Sequence, residues 1–406
     1  MIGICRERFQ TVPYWISNRI TMKRLSIFLF VAVLALFPKS GLAQPPLKVG
    51  ALIPFSGRWG DSGREYAKGV LDAAKWTNQR GGVYGRKLEI IVIDDDSQAG
   101  ETMAAFRKLN EADRVLLLGI YSMETALALA PHVHYHRIPA IVNSLPASLS
   151  NPAKYPFIFT AAPTPKDIAK IAMSFISESP GVKSKKPKVV FLGSQDHLSR
   201  DSLDEVKKYG KDRGLDTGID IFSLDSAMAK GVSFVLTTLA SYNPDFIYLS
   251  VTSKEAFSIL QEAGQMGLKA KWICSAKTFD ENLTPFEGVM GVQPVSPFGE
   301  DVPGMAEIKD AHQRWHPYDS HTVSYVEGWA MVQIIAEALG RSLPEQKLSR
   351  EKVKSSLEGF KNFVLGGLIP PVTLTANDHR ASVESRVFTV KDGKLLRQTG
   401  FISVKR

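Results

Sequence analysis

The chain has 406 residues, of which 44% are apolar and 22% are charged, and its formal net charge is +9. This length and apolar content favour a globular protein with a large core divided between two domains. The sequence has no low-complexity tract and no short internal repeat, which excludes those two classes of protein.

The N-terminal region contains basic residues, an apolar run and small residues in the order that is typical of a secretory signal peptide. Residues 25–37 form an apolar run, LSIFLFVAVLALF, which follows Lys23 and Arg24 and precedes the small residues that end at Ala43. The run is too short for a typical transmembrane helix. We therefore expect export and cleavage after Ala43, with an uncleaved anchor as the alternative.

Removal of the leader on export changes the number of charged residues and of cysteines in the mature chain. We expect translation to begin at Met22, with residues 1–21 an extension, and the mature chain to begin at Gln44, which offers no cysteine for a lipid anchor. Without its leader the chain carries 44 basic and 40 acidic residues. This small positive excess gives little support to nucleic-acid binding, so no nucleic-acid partner is expected. Only Cys274 remains, so no internal disulfide is expected.

From residue 47 onward, short apolar segments alternate with amphipathic ones. The apolar segments predict strands, and the periodicity of the segments between them predicts helices. The first set of predicted strands is 47–53, 88–94, 115–119 and 138–142. Nearly continuous apolar strands that alternate with amphipathic helices indicate a parallel sheet covered on both faces.

A proline-containing segment, YPFIFTAAPTP (residues 155–165), interrupts this rhythm, and a second set of units follows it. The second set of predicted strands is 187–193, 219–223, 245–251 and 271–275. Two doubly wound α/β domains of similar size are the natural interpretation.

The remainder of the chain carries two further signals. Val323, Val326, Ala330, Ile334 and Ala338 form an apolar stripe that predicts a long helix over residues 321–340. Closer to the end, the pair at positions 392–393, Asp-Gly, separates two strand-like segments. Because these residues tolerate the positive φ of a tight turn, the sequence predicts a β-hairpin there.

The segment IPFSGRWGDSGREYAKGV (residues 53–70) places three glycines between a predicted strand and a predicted helix. A phosphate-binding P-loop requires Gly-Lys-Ser/Thr, which this loop lacks. A dinucleotide loop requires Gly-x-Gly-x-x-Gly, whereas the spacing here is Gly-x-x-Gly-x-x-Gly. Backbone amides at a helix start still favour anions and polar oxygens. We expect the side chain of Trp59, in this loop, to line the binding site of an apolar or aromatic ligand. The alternative is that Trp59 only packs against its own domain.

Residues 49–98 resemble the opening of periplasmic solute-binding proteins of the branched-chain amino-acid (leucine/isoleucine/valine) ABC transporter type. The shared features, in order, are Ser56-Gly57, Gly63, Gly69, Asn78, Gly81-Gly82, Gly85-Arg86-Lys87 and Asp94 to Asp96. The segments AEALG and LTANDHR also fit, so the resemblance extends over about residues 47–403.

The resemblance implies two doubly wound parallel-sheet lobes joined by three crossovers, with the ligand in the cleft between them. We place the crossovers near Ala161, Pro294 and Pro370, where the sequence offers Pro or Gly nearby. Lobe 1 is then 44–160 plus 295–369, lobe 2 is 161–294 plus 370–406, and residues 1–43 are the leader. Closure around the ligand would signal occupancy to a membrane permease.

In lobe 1, relatives hold the ligand carboxylate with a Ser hydroxyl and backbone amides at the turn that here reads GIYSMET (119–125). The ungapped match puts Met123 at the Ser position, and Ser122, just before it, either contacts the ligand or caps the helix. Ser144 and Leu145 occupy positions where relatives often have Ala and Thr as further contacts.

In lobe 2 the departures from relatives are larger. Thr252 stands where some relatives use Tyr, and Ala276 stands where amino-acid binders place the carboxylate for the ligand ammonium. Because a buried ammonium without a partner is costly, the resemblance argues here against a free α-amino acid. Lys277 either meets an anionic group of the ligand or faces solvent.

The remaining candidate side chains do not indicate a metal site or a catalytic site. His132, His134 and His136 lack the spacing of a helical metal pair, and the acidic run at residues 94–96 has too few oxygen ligands for a cation site. There is no Gly-x-Ser-x-Gly motif. We expect no metal, no cofactor and no catalysis, and we interpret Cys274 as a core or wall residue.

The sequence therefore predicts a monomeric, exported solute-binding component that captures a small carboxylate and presents it to an ABC permease. Two alternatives stay open. The same module can present its closed form to a signalling receptor, or the chain can be an exported α/β enzyme.

Overall fold

The computed structural model describes residues 44–143, 146–179, 186–193, 200–221, 231–343 and 348–405. The predicted leader, residues 1–43, lies outside these ranges. Within them, no helix combines the length and the apolar character needed to cross a membrane.

The first sheet has five strands, all parallel. Its strands are β1 (Leu47–Leu52), β2 (Leu88–Ile93), β3 (Leu117–Ile120), β4 (Ala140–Val142) and β5 (Ile158–Thr160), in the spatial order β2-β1-β3-β4-β5. The helices that follow β1, β2 and β3 are α1 (Gly60–Gln79), α2 (Ala99–Arg107) and α3 (Met123–Tyr135).

The second sheet continues the chain after β5. Its strands are β6 (Val189–Gly193), β7 (Asp220–Ile221), β8 (Phe246–Ser250), β9 (Lys271–Cys274), β10 (Met290–Gln293), β11 (Glu384–Lys391), β12 (Lys394–Arg397) and β13 (Ile402–Ser403). The spatial order is β12-β11-β10-β9-β8-β6-β7, with β13 beside β11. The accompanying helices are α4 (Pro165–Glu178), α5 (Arg200–Lys211), α6 (Val232–Tyr242) and α7 (Ser253–Gln265).

Three further helices come from the C-terminal third of the chain, namely α8 (Met305–Trp315), α9 (Val323–Ser342) and α10 (Arg350–Glu358). Helix α9 confirms the predicted long helix, and all five residues of the predicted stripe are buried. The burial extends further around the helix than the stripe predicts, because Tyr325, Glu327 and Trp329 are buried too.

The alternation of strands and helices confirms the α/β prediction, and the hairpin is confirmed as well. Strands β11 and β12 pair antiparallel around Asp392 (φ 52°) and Gly393 (φ 69°). The proline-containing segment is less irregular than the sequence predicts, since residues 158–160 form strand β5, which is fully buried at the edge of the first sheet. Strand pairing with β4 thus outweighs the prolines on either side.

The chain passes between the two sheets after β5, after β10 and before β11. The passing segments hydrogen-bond to one another, since Ala381 N donates to Thr160 O (3.1 Å) and Ser296 N to Leu368 O (2.8 Å). Val372, Leu374 and Ala381 pack in the apolar core of the first sheet, whereas Val383 packs in that of the second.

Candidate functional site

Loops at the carboxyl ends of strands from both sheets surround a cavity of about 50 Å³, which we call the inner chamber. In doubly wound sheets this edge is where ligands bind. The inner chamber is lined by Trp59, Tyr121, Ser122, Met123, Glu124, Asn143, Ala162, Pro163, Pro165, Ile168, Ser250, Ser275, Ala276, Lys277, Pro294 and Glu327. Most of this lining is apolar, with a few polar groups that converge.

A second cavity of about 500 Å³, which we call the outer chamber, adjoins the first. The two share Trp59, Tyr121, Ala276, Lys277 and Glu327. The remaining lining of the outer chamber is Arg58, Asp61, Ser62, Glu65, Thr252, Ser253, Lys254, Asp280, Glu281, Asn282, Ser320, His321, Thr322, Val323 and Ser324. Together the chambers form one cleft between the loops of the two sheets.

Trp59 lines both chambers and is also packed against the core of the first sheet, so the two interpretations of this residue are compatible. The loop that carries it is held by the acidic residues that follow β2. Asp94 accepts a hydrogen bond from Phe55 N (3.0 Å), and Asp96 accepts one from Ser56 Oγ (2.7 Å). The acidic run thus positions the glycine-containing loop.

Ser122 is the N-cap of α3. Its Oγ accepts a hydrogen bond from Thr125 N (3.1 Å) and donates one to Thr125 Oγ1 (2.9 Å). The hydroxyl is therefore committed to the helix start, as the capping alternative predicts. The amide groups of Met123 and Glu124, in the first turn of α3, lie at the positive end of the helix dipole beside the inner chamber.

Lys277 does not face open solvent. Its Nζ lies 2.9 Å from Glu327 Oε2, and the two side chains are only 18% and 6% exposed. Asn143 Nδ2 donates to the same oxygen (3.0 Å), and the Lys277 ammonium lies 4.7 Å from the centre of the Tyr121 ring. Burial alone would lower the pKa of Lys277, but Glu327 and Tyr121 together outweigh the effect of burial and raise this pKa.

Helix α9 reaches the cleft because it crosses α1 at very close range through two glycines. A Cβ added to Gly328 would lie 2.2 Å from Tyr66 O, and one added to Gly69 would lie 2.0 Å from Tyr325 O. Only glycine allows the two backbones to approach this closely. This contact sets the position of Glu327, which neighbours Gly328 in the sequence.

Thr252 lines the outer chamber and not the inner one. It is the N-cap of α7, where its Oγ1 accepts from Glu255 N (3.2 Å) and the Glu255 carboxylate accepts from Thr252 N (2.8 Å). Glu255 also lies 3.1 Å from Arg58 Nη2, which links the loop after β1 to α7 across the cleft.

Glu281 joins the two sheets at the outer chamber. Its carboxylate accepts hydrogen bonds from Val323 N (2.8 Å), at the start of α9, and from Phe298 N (3.0 Å). Burial raises the pKa of Glu281 to about 7, and the neighbouring Asp280 adds to the shift. Burial also raises the pKa of Asp280 itself.

Two predicted site residues, Ser144 and Leu145, lie outside the described residues. Over the ranges that are described, no group of three or more His, Cys, Asp and Glu side chains is arranged to hold a metal ion. Cys274 is fully buried in the second sheet, and burial raises the pKa of its thiol.

Three lining residues of the inner chamber, Tyr121, Asn143 and Glu327, were not predicted from the sequence. The signal for Glu327 was present, because the segment SYVEGWA places a carboxylate next to a glycine inside an otherwise apolar helix. Ala276 stands where the resemblance implies a missing carboxylate for the ligand ammonium. Glu327, from the other side of the cleft, places a carboxylate in the same chamber.

Comparisons with known proteins agree with this architecture. The chain is 23% identical over 336 residues to a leucine-, isoleucine-, valine-, threonine- and alanine-binding protein of Pseudomonas aeruginosa, covering 80% of this chain and 87% of the relative. A branched-chain amino acid ABC transporter protein from Thermus thermophilus with bound valine superposes with a TM-score of 0.79 at 20% identity, covering 89% of this chain and 98% of the other.

A solute-binding protein of an ABC transporter from Rhodopseudomonas palustris, in complex with 3,4-dihydroxybenzoic acid, superposes with a TM-score of 0.73 at 19% identity, covering 88% and 97% of the two chains. The fold is that of the type I periplasmic binding proteins. A family model described as periplasmic binding protein matches residues 46–394 of this chain. The chain belongs to the periplasmic binding protein family, and it is similar to leucine-, isoleucine- and valine-binding proteins.

Proposed function

We propose that this protein is the periplasmic solute-binding component of an ABC uptake system, and that its ligand is a small carboxylate with an apolar or aromatic body. The lining of the inner chamber supports this ligand class. There, the first-turn amides of α3 and the ammonium of Lys277 lie beside an apolar wall that includes Trp59 and Met123.

The amides at the start of α3 favour an anion, because the N–H groups of Met123 and Glu124 belong to the first turn and form the positive end of the helix dipole. The relatives in the solved structures hold valine and 3,4-dihydroxybenzoic acid, which are both carboxylates. In this chain Ser144 and Leu145, together with Ser122 and Met123, are the proposed contacts from the first sheet.

A carboxylate without an α-amino group fits the inner chamber better than an amino acid. Oε2 of Glu327 already accepts hydrogen bonds from Lys277 and Asn143. A ligand ammonium at that oxygen would have to displace the ammonium of Lys277 and leave it partly buried without its partner, which is costly.

We propose two lobes with residues 44–160 and 295 to about 381 in the first, and 161–294 and about 382–406 in the second. The ligand favours the closed arrangement because only that arrangement lets both lobes contact it. A membrane permease would recognise the closed monomer, and no covalent step takes place.

A thermal-shift screen of the purified protein tests the proposal. We expect benzoate or 4-hydroxybenzoate to raise the melting temperature, and the matched uncharged amides to have little effect, because a ligand that binds only the folded state stabilises it. Stabilisation by leucine, isoleucine or valine without any effect of the organic acids would overturn the proposed ligand class.

A further inference from the structure

An ion pair between Arg58 and Glu255 joins segments that belong to different sheets. Arg58 Nη2 lies 3.1 Å from Glu255 Oε2, and the two side chains are 27% and 33% exposed. Arg58 directly precedes α1 of the first sheet, whereas Glu255 lies in the first turn of α7 of the second. Arg58 belongs to the lining of the outer chamber but not to that of the inner one, and Glu255 belongs to neither. The pair therefore spans the cleft outside the site proposed for the ligand carboxylate.

The segment that carries Arg58 is fixed to the first sheet. Phe55 N donates a hydrogen bond to Asp94 Oδ1 (3.0 Å), and Ser56 Oγ donates one to Asp96 Oδ1 (2.7 Å). Both acids directly follow β2, a strand of the first sheet. The guanidinium of Arg58 is thus attached to a segment that moves with the first sheet and not with the second.

Glu255 is fixed to the second half of the molecule independently of Arg58. Its Oε2 accepts hydrogen bonds from Thr252 N (2.8 Å) and Thr252 Oγ1 (2.8 Å), and Glu255 N donates to Thr252 Oγ1 (3.2 Å). This reciprocal capping box holds the side chain against the first turn of α7. Burial would raise the pKa of Glu255, but the hydrogen bonds from Thr252 and the charge of Arg58 outweigh burial and lower this pKa. The carboxylate is therefore held ionised and in place.

Because each partner is held by its own half, a movement that opens the cleft must separate the guanidinium from the carboxylate. Trp59 follows Arg58 directly in the sequence and lines both chambers. A contact that holds Arg58 against α7 therefore also holds Trp59 over the ligand site. Breaking the contact would free this wall to move away with the first sheet.

We propose that Arg58 and Glu255 are positioning residues that form a latch, which we define as their ion pair across the cleft. The latch holds the cleft closed over the ligand and slows release of the ligand without contacting it. This inference rests on the proposed function and goes beyond it, because it assigns the rate of release to residues outside the carboxylate site. Retention of the ligand then depends on ionic strength, since salt screens a partly exposed ion pair.

Stopped-flow tryptophan fluorescence with 4-hydroxybenzoate, or with benzoate if only that acid binds, tests the latch in Glu255→Gln. Glutamine also serves in a capping box, so this variant removes the charge and keeps the helix start. We expect dissociation to be about threefold faster and association nearly unchanged, because the latch forms only after the ligand has entered and a partly exposed ion pair has an effect of this size. The difference from the wild type should shrink at high salt.

Glu351→Gln is the matched control. Glu351 lies in the first turn of α10 and pairs with Arg137 Nε (2.9 Å), which follows α3, so this ion pair does not span the cleft. Both rate constants should equal those of the wild type. Arg58→Gln should speed dissociation as much as Glu255→Gln does, and the double variant should go no further, since either change already breaks the pair.

An unchanged dissociation rate in Glu255→Gln, or a change in association alone, would overturn the latch and leave carboxylate binding intact. If neither acid binds the wild type, the proposed ligand class fails, and hydrogen exchange of the protein without added ligand decides on the latch. Faster exchange over residues 55–62 in Glu255→Gln but not in Glu351→Gln supports it, and equal exchange in both variants overturns it.

Discussion

Lys277 Nζ lies 2.9 Å from Glu327 Oε2, and the two residues come from opposite sides of the cleft. Lys277 follows β9 of the second sheet, whereas Glu327 belongs to α9, which packs against the core of the first. The cation nearest to the proposed ligand is therefore held by a carboxylate from the other half of the molecule. Because this ion pair spans the cleft, a movement of one half relative to the other would change how far Glu327 neutralises the charge of Lys277 in the site.

Removing one member of this pair should cost more than removing both. We expect Lys277→Met to destabilise the protein by about 2 kcal/mol, because Glu327 would stay buried with fewer donors. The double variant Lys277→Met/Glu327→Gln should recover most of that loss. Urea unfolding measures both values, and Lys254→Met, at an exposed lysine of the outer chamber, is the control expected to change little. A double variant as unstable as the sum of the single variants would contradict the coupling.

Trp59 should contribute both to binding and to the optical signal of binding. We expect Trp59→Ala to weaken binding of the best carboxylate by about tenfold, since an aromatic side chain that covers a ligand buries a large apolar area. The ligand-linked change in tryptophan fluorescence should also decrease. Tyr84→Ala removes an aromatic residue that is 76% exposed and should leave both unchanged. If Trp59→Ala keeps both the affinity and the fluorescence change, Trp59 does not line the ligand site.

The close crossing of α1 and α9 predicts a strong effect of a single methyl group. Gly328→Ala places a Cβ 2.2 Å from Tyr66 O and must separate the helices, which we expect to cost about 1–3 kcal/mol. Because Glu327 moves with α9, ligand affinity should fall as well. Gly264→Ala is the matched control, since Gly264 lies in α7 and an added Cβ there meets nothing within 4 Å. The control should be stabilising by roughly 0.5–1 kcal/mol. Two variants of equal stability would contradict the close contact.

Glu281 should give the stability a distinct pH dependence. The carboxyl ionises near pH 4.5 in the unfolded chain and near pH 7 in the folded one, so between these values the folded state binds a proton that the unfolded state has lost. The stability that this group contributes is therefore fully present below pH 4.5 and is lost as the pH rises through 7.

The comparison with Glu281→Gln isolates this contribution from those of other acids. The stability of the wild type relative to the variant should fall by on the order of 2 kcal/mol between pH 4.5 and pH 8. Urea unfolding at several pH values measures the difference, and Glu287→Gln, at a nearby exposed position, should show no such trend. A difference that is constant or rises with pH would show that the Glu281 carboxyl is not buried as described.

Local patterns predicted most of the fold, because parallel strands buried on both faces must be nearly continuous in apolar residues. The Asp392-Gly393 hairpin was predictable for the same reason, since its turn chemistry is local. The passage near Ala381 was not, because it depends on the pairing of residue 381 with Thr160, far away in the sequence. Prolines on either side likewise concealed β5.

The candidate site was predictable only in part. Trp59, Ser122, Met123 and Lys277 come from loops that follow strands, and topology places such loops at one edge of the sheet. Glu327 comes from the interior of a helix more than 160 residues after β4, and a glycine contact with α1 brings it to the cleft. No periodicity of α9 alone indicates which helix it crosses or how closely.

Recognition of a carboxylate in the inner chamber is tested most directly by calorimetric titration of the wild-type protein with the most stabilising carboxylate and with its matched uncharged amide. We expect one ligand bound per chain and an affinity for the acid at least about tenfold higher than for the amide, because the α3 amides and Lys277 recognise the negative charge. Equal affinities for acid and amide, or binding of leucine when no organic acid binds, would contradict it.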